Sequence, residues 1–87
     1  MELFSYQNIK VTSVKLYNYK IIVEECEDGG FYAECPAFQG CHVEADTYEE
    51  TMKEMKLALK NFIQDYQSVN QELPSDHFLV TSIQIAL

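Results

Sequence analysis

The sequence predicts an α+β domain: an antiparallel meander of three short strands, one long helix crossing it, and a last strand after the helix. Three observations carry this. Residues alternate in character around a Gly-Gly turn between Tyr19 and Glu44, apolar residues recur at three-four spacing from Tyr48 to Tyr66, and alternation returns from His77 to Leu87.

The elements follow in chain order. Over residues 1–18, Ile9, Val11, Ser13, Lys15 and Tyr17 alternate with Lys10, Thr12, Val14, Leu16 and Asn18, and neither set is cleanly apolar. This stretch is expected to be an N-terminal arm or an extra edge strand, with 19–87 forming the single domain. Tyr19, Ile21 and Val23 share a face by period two, which predicts a strand from Tyr19 to Cys26. Glu27-Asp28-Gly29-Gly30 is a hairpin signal, because glycine accepts the positive φ of a tight turn. The returning strand carries Phe31, Ala33 and Cys35 on one side and Tyr32 and Glu34 on the other, and Pro36 stops it because it lacks an N–H for the ladder. After Ala37-Phe38-Gln39-Gly40, the run Cys41-His42-Val43-Glu44 is expected to be the third strand.

Asp46 and Thr47 are both good helix caps, and Thr47-Tyr48-Glu49-Glu50 has the spacing of a capping box. Tyr48, Met52, Met55, Leu59, Phe62 and Tyr66 then form an apolar stripe, and Asn70 to Pro74 ends the helix. In the tail, Leu79, Thr81, Ile83, Ile85 and Leu87 share one side. A helix between the third and last strands permits a crossover, so the last strand can run parallel to one of the first three.

Composition narrows the function. A chain of 87 residues is one domain. Fourteen acidic residues against six lysines, and no arginine, give a net charge of −8, and between Lys20 and Lys53 every formal charge is negative. Nucleic acid would repel such a surface, whereas a basic protein would be attracted to it. The N-terminus has no signal-peptide pattern and no apolar run is long enough to span a bilayer, so a cytoplasmic protein is expected. Cys26, Cys35 and Cys41 are odd in number, which fits reduced thiols.

Several motifs in sequence order resemble the HicB family of antitoxins. They are Gly29-Gly30-Phe31-Tyr32-Ala33, Cys35-Pro36-Ala37-Phe38-Gln39-Gly40-Cys41, Asp46-Thr47-Tyr48-Glu49-Glu50, and the helix ending at Leu73-Pro74. The structural positions of the pattern are Gly29, Gly30, Pro36, Gly40, Asp46, Thr47, Glu50 and Pro74, and the likeness covers about residues 19–87. Ala45 and Thr51 depart mildly from it, where the family often has Gly and Ala. The resemblance implies a partial ribonuclease H-like fold whose last strand is parallel to the first. It also implies binding and blocking of a small basic mRNA-cleaving toxin of the HicA type. Many members carry a C-terminal DNA-binding domain; this chain resembles a short form without one. The alternative is a solo module that binds protein or a small ligand and has no toxin partner.

On this reading Glu24, Glu34 and Glu44 lie at polar positions of successive strands, with Glu27 and Asp28 at the hairpin tip. In a simple meander register they would form a negative face able to imitate RNA phosphates; the plainer reading is a solvated face that keeps the domain soluble. Self-association is expected through an open strand edge or through aromatics such as Phe38.

The sequence nominates no catalytic residue, metal or cofactor. A two-metal nuclease needs converging carboxylates. The candidates Glu24 or Glu25, Glu50 or Glu54, and Asp76 would be split between opposite ends of the sheet if the first and last strands are parallel. Cys26, Cys35, Cys41 and His42 lack a Cys-x-x-Cys pair, and Cys35 and Cys41 share the parity of core positions. Adjacent Cys41 and His42 would point to opposite faces, and His77 has no acidic orienter beyond Asp76.

Overall fold

A computed structural model describes residues 14–87. Three strands, β1 (Ile22–Glu25), β2 (Phe31–Glu34) and β3 (His42–Ala45), precede one helix, α1 (Tyr48–Ser68). The sheet order is β1-β2-β3 and both pairs are antiparallel, as the Gly-Gly turn and short links require. The first strand is shorter than its alternation suggests, since residues 14–21 take no regular structure. Most of the expected N-terminal arm, residues 1–13, lies outside the described residues.

The first turn closes with Gly29 at φ 96° and the Cys26 N–H donating to the Gly30 carbonyl at 2.7 Å. Gly30 is needed for space: a Cβ there would stand 3.0 Å from the Ala45 carbonyl oxygen. The second link is a compact loop. Phe38 N–H donates to the Cys35 carbonyl at 3.1 Å, Cys41 N–H donates to the Phe38 carbonyl at 3.1 Å, and Gly40 takes φ 85°.

That loop folds Phe38 inward, which corrects the expectation of an exposed association aromatic. Phe38 is 1% exposed and is the largest fully buried side chain. Its ring lies 4.9 Å from that of Tyr19, 5.8 Å from Phe62 and 5.3 Å from Tyr66. Ala33, Cys35, Cys41 and Met55 complete the buried core, with Ile21, Val23, Val43, Leu59, Phe62 and Ile63 packed around it. The Cys41 thiol donates to the Met55 thioether at 3.8 Å, so both parity-matched cysteines are core side chains.

The helix starts as its sequence predicts. Glu50 N–H donates to Thr47 Oγ1 at 3.1 Å, and that hydroxyl donates to Glu50 Oε1 at 3.3 Å. Thr51 is fully buried, and its hydroxyl donates to the Thr47 carbonyl at 2.8 Å, which satisfies a polar group otherwise costly to bury. Of the predicted stripe, Met55 is buried and Leu59, Phe62 and Tyr66 are half-buried, whereas Tyr48 at the first turn is exposed. The helix ends in a Schellman arrangement: Asn70 at φ 56°, with Gln71 N–H donating to the Tyr66 carbonyl and Asn70 N–H to that of Gln67.

Beyond it, Tyr19 Oη donates to the Pro74 carbonyl at 2.8 Å, and Asp76 accepts from both the Lys20 N–H and Lys20 Nζ. Past Asp76, residues 77–87 take no regular structure and every one is exposed, and among the described residues the expected last strand has no ladder partner.

Candidate functional site

The strand register decides which side chains share the outer face of the sheet. Ala33 is buried, and its partners Val23 and Val43 pack on the core, so odd-numbered strand residues face α1. Even-numbered residues face outward. One row across the sheet is then Glu24, Tyr32 and Glu44, and the next is Ile22, Glu34 and His42. The structure thus brings Glu24, Glu34 and Glu44 to one face, as a simple meander register demands. Glu24 and Glu44 flank Tyr32 from opposite sides and are separated by two strand spacings, roughly 10 Å.

The centre of this face is aromatic. The Tyr32 ring stacks against that of His42 with centroids 5.8 Å apart and planes inclined by 30°, and Tyr32 Oη donates to Glu34 Oε1 at 3.1 Å. Tyr32 and Glu34 are half-buried while His42, Glu24 and Glu44 are exposed. Sequence reasoning missed Tyr32 and His42 as site residues, although the parity that selects the glutamates selects them too. They stand two positions before Glu34 and Glu44.

Electrostatics agrees with a shared negative field. Partial burial pushes the Tyr32 phenol above its ordinary value, and the Glu34 hydrogen bond with the charges of Glu34, Glu24 and Glu44 adds to the effect. Burial likewise raises the Cys26 thiol, with Glu44, Asp28 and Glu24 contributing. Glu44 and Asp28 both line a shallow cleft of about 270 Å³ with Cys26, Gly30, Phe31 and Asp46. The hairpin acids differ in role. Asp28 Oδ1 accepts from the Gly30 N–H at 3.2 Å, which ties it to the turn, while Glu27 is exposed at the tip.

The carboxylates weighed for nuclease chemistry are dispersed. Glu24 and Glu25 close β1, Glu50 and Glu54 line a second acidic cleft with Glu44 and Asp46, and Asp76 pairs with Lys20 before β1 begins. Among the described residues no three His, Cys, Asp or Glu side chains are grouped as metal ligands. No helix there is long and apolar enough to cross a membrane.

A second feature lies on the flank of α1. Leu16, Tyr17, Leu57, Leu59 and Ile63 line an open groove of about 550 Å³ together with Lys15, Lys53, Lys56 and Lys60, which are four of the chain's six lysines. Gln67 Nε2 donates to Tyr17 Oη at 2.9 Å and holds residues 15–17 as its second wall.

A small α+β domain with an acidic, aromatic-centred sheet face is therefore the class that fold and site define. The chain belongs to the UPF0150 family. It is 33% identical over 75 residues to a UPF0150 protein of Synechocystis sp., covering 86% of this chain and 95% of that one. A second UPF0150 protein of the same organism is 41% identical over 58 residues, 67% of this chain and 80% of its own. A UPF0150 protein of Thermoplasma acidophilum is 29% identical over 59 residues, 68% of this chain and 86% of its own. No family model and no solved structure matches the chain.

Proposed function

We propose that this protein is a cytoplasmic antitoxin of the HicA/HicB type, which binds and blocks a small basic ribonuclease toxin and does no chemistry itself. The observation that carries this reading is the outer sheet face, where Glu24, Glu34 and Glu44 surround the stacked Tyr32–His42 pair. A half-buried aromatic inside a charged rim is the anatomy of a protein-binding patch. On this reading the acids take the place of RNA phosphates on the basic toxin, so an occupied toxin surface can no longer hold message. The UPF0150 relationship is consistent with a HicB-like chain. The fold that goes with the reading is partial ribonuclease H-like, with residues 77–87 supplying a strand parallel to β1, and the protein works as a homo-oligomer.

The experiment is capture from native lysate at low salt with the tagged chain, followed by high-salt elution and mass spectrometry. The expected product is a small basic protein whose cleavage of RNA stops when the chain is added back. Recovery of no basic protein removes the antitoxin reading.

A second reading has its own observation. The apolar, lysine-rimmed groove along α1 suits a solo module that binds a small anionic amphiphile. Native mass spectrometry of freshly purified protein separates the two, since a co-purified small molecule that Leu57→Asp removes favours the groove.

A further inference from the structure

We infer that residues 77–87 are a donated strand, which adds to the open edge of β1 in a second copy of this chain. Two features that have no partner among the described residues fit each other.

The first is the arm. His77 to Leu87 carries no Asp, Glu, Lys or Arg, and it alternates Leu79, Thr81, Ile83 and Ile85 with Val80, Ser82 and Gln84. That is an amphipathic strand pattern rich in β-branched residues. Yet Leu79 is 88% exposed, Ile83 81% and Ile85 74%. A contiguous apolar face of this kind on a small domain marks a contact surface.

The second is the edge. Among the described residues, β1 has β2 as its one neighbour in the sheet. The Cys26 N–H donates to Gly30, so antiparallel alternation turns the backbone groups of Ile22 and Glu24 towards β2. Those of Ile21, Val23 and Glu25 point to the open side, a ready template for another strand. Parity then matches. Ile21 and Val23 pack on the core, so an added strand with Leu79, Ile83 and Ile85 inward extends the apolar face, and Ser82 and Gln84 join the outer face beside Ile22 and Glu24.

A second copy is the occupant that satisfies both features at once, because each copy brings one arm and one edge. Asp76 fixes the root of the arm at Lys20, where the chain leads into β1, so the arm leaves beside the kind of edge it is to join. The uncharged arm also has no electrostatic preference for a basic protein. A reciprocal exchange buries on the order of 1,000 Å² or more in total, the size at which association becomes specific.

Sedimentation equilibrium of the full chain, with two isotope-labelled pools mixed and re-equilibrated through unfolding, tests this. The expected results are a dimer mass and intermolecular nuclear Overhauser effects between arm residues of one copy and Ile21, Val23 or Glu25 of the other. The double variant Ile83→Lys, Ile85→Lys should sediment as a monomer that keeps the helical far-UV circular dichroism of α1 and loses the strand signal of the arm. A monomeric wild type overturns the inference, including one whose arm lies on its own β1. A dimer with no arm-to-β1 contacts, or one that the double variant leaves intact, overturns it equally.

Discussion

Phe38 meets the rings of Tyr19, Phe62 and Tyr66, and so joins the loop after β2 to both the start of the sheet and the helix. Phe38→Ala should cost about 3–5 kcal/mol in urea unfolding. A loss under about 1 kcal/mol would mean that the loop does not hold the ring inside. Nothing local in Ala37-Phe38-Gln39-Gly40 announces this burial, because the loop has no period and its inward fold depends on hydrogen bonds to Cys35 and Cys41. Cys35 and Cys41 were legible as core because each lies in an alternating run. Burial raises both thiols above their ordinary value of 9.0, and burial raises the Tyr19 phenol above 10.0, with Cys35 and Asp76 adding to it. Folded-state values above unfolded ones mean stability that is fully present below pH 9 and lost as pH rises through the folded values, since the unfolded chain releases its protons first. Urea midpoints should be flat from pH 7 to 8.5 and fall between pH 9 and 11. A flat profile to pH 11 would contradict the burial of these groups.

At the scale of elements, the helix is legible nearly whole in the sequence because its signals are local. Thr47 caps it as its spacing with Glu50 predicts, and Thr47→Ala should cost about 1 kcal/mol. Its end depends on Asn70 in the left-handed region, where a Cβ is penalised. Asn70→Ala should therefore lower stability by about 1 kcal/mol while Asn70→Gly leaves it equal or higher, measured by thermal melting of the pair. Equal destabilisation by both would show that the Asn side chain, and not the backbone angle, matters. The three strands were legible from alternation and the Gly-Gly turn, within a few residues at their ends. The tail shows what alternation omits. Leu79 to Ile85 declare an ability to form a strand, but pairing partners are not encoded in period two, and none is found among the described residues.

Over the whole molecule, charge is distributed unevenly. Glu24, Glu34 and Glu44 gather on the sheet, while four lysines line the groove beside α1. The acids of the candidate site were legible from strand parity. Tyr32 and His42 at its centre were not, because formal charge marks only the glutamates. The groove was not legible, since its second wall is Tyr17, placed by a contact with Gln67 fifty residues away. Glu24→Lys with Glu34→Lys should weaken capture of the proposed basic partner at least tenfold at low salt and leave thermal melting unchanged, and Tyr32→Ala should weaken it at both low and high salt. Unchanged capture by the double variant would return the acidic face to a solubilising role.

This uneven distribution has a consequence for encounter. A molecule with a cluster of acids on its sheet and a cluster of lysines on a flank of its helix has a charge asymmetry as well as a net charge. A cationic protein approaching from afar feels a torque in addition to attraction, so the domain turns its sheet forward before the two surfaces touch. That alignment survives only while the separation is within about one Debye length, roughly 8 Å at physiological salt and three to four times as far in dilute buffer. Orientation, and with it the fraction of collisions that end in a docked pair, would thus be set by the medium as much as by the contact residues.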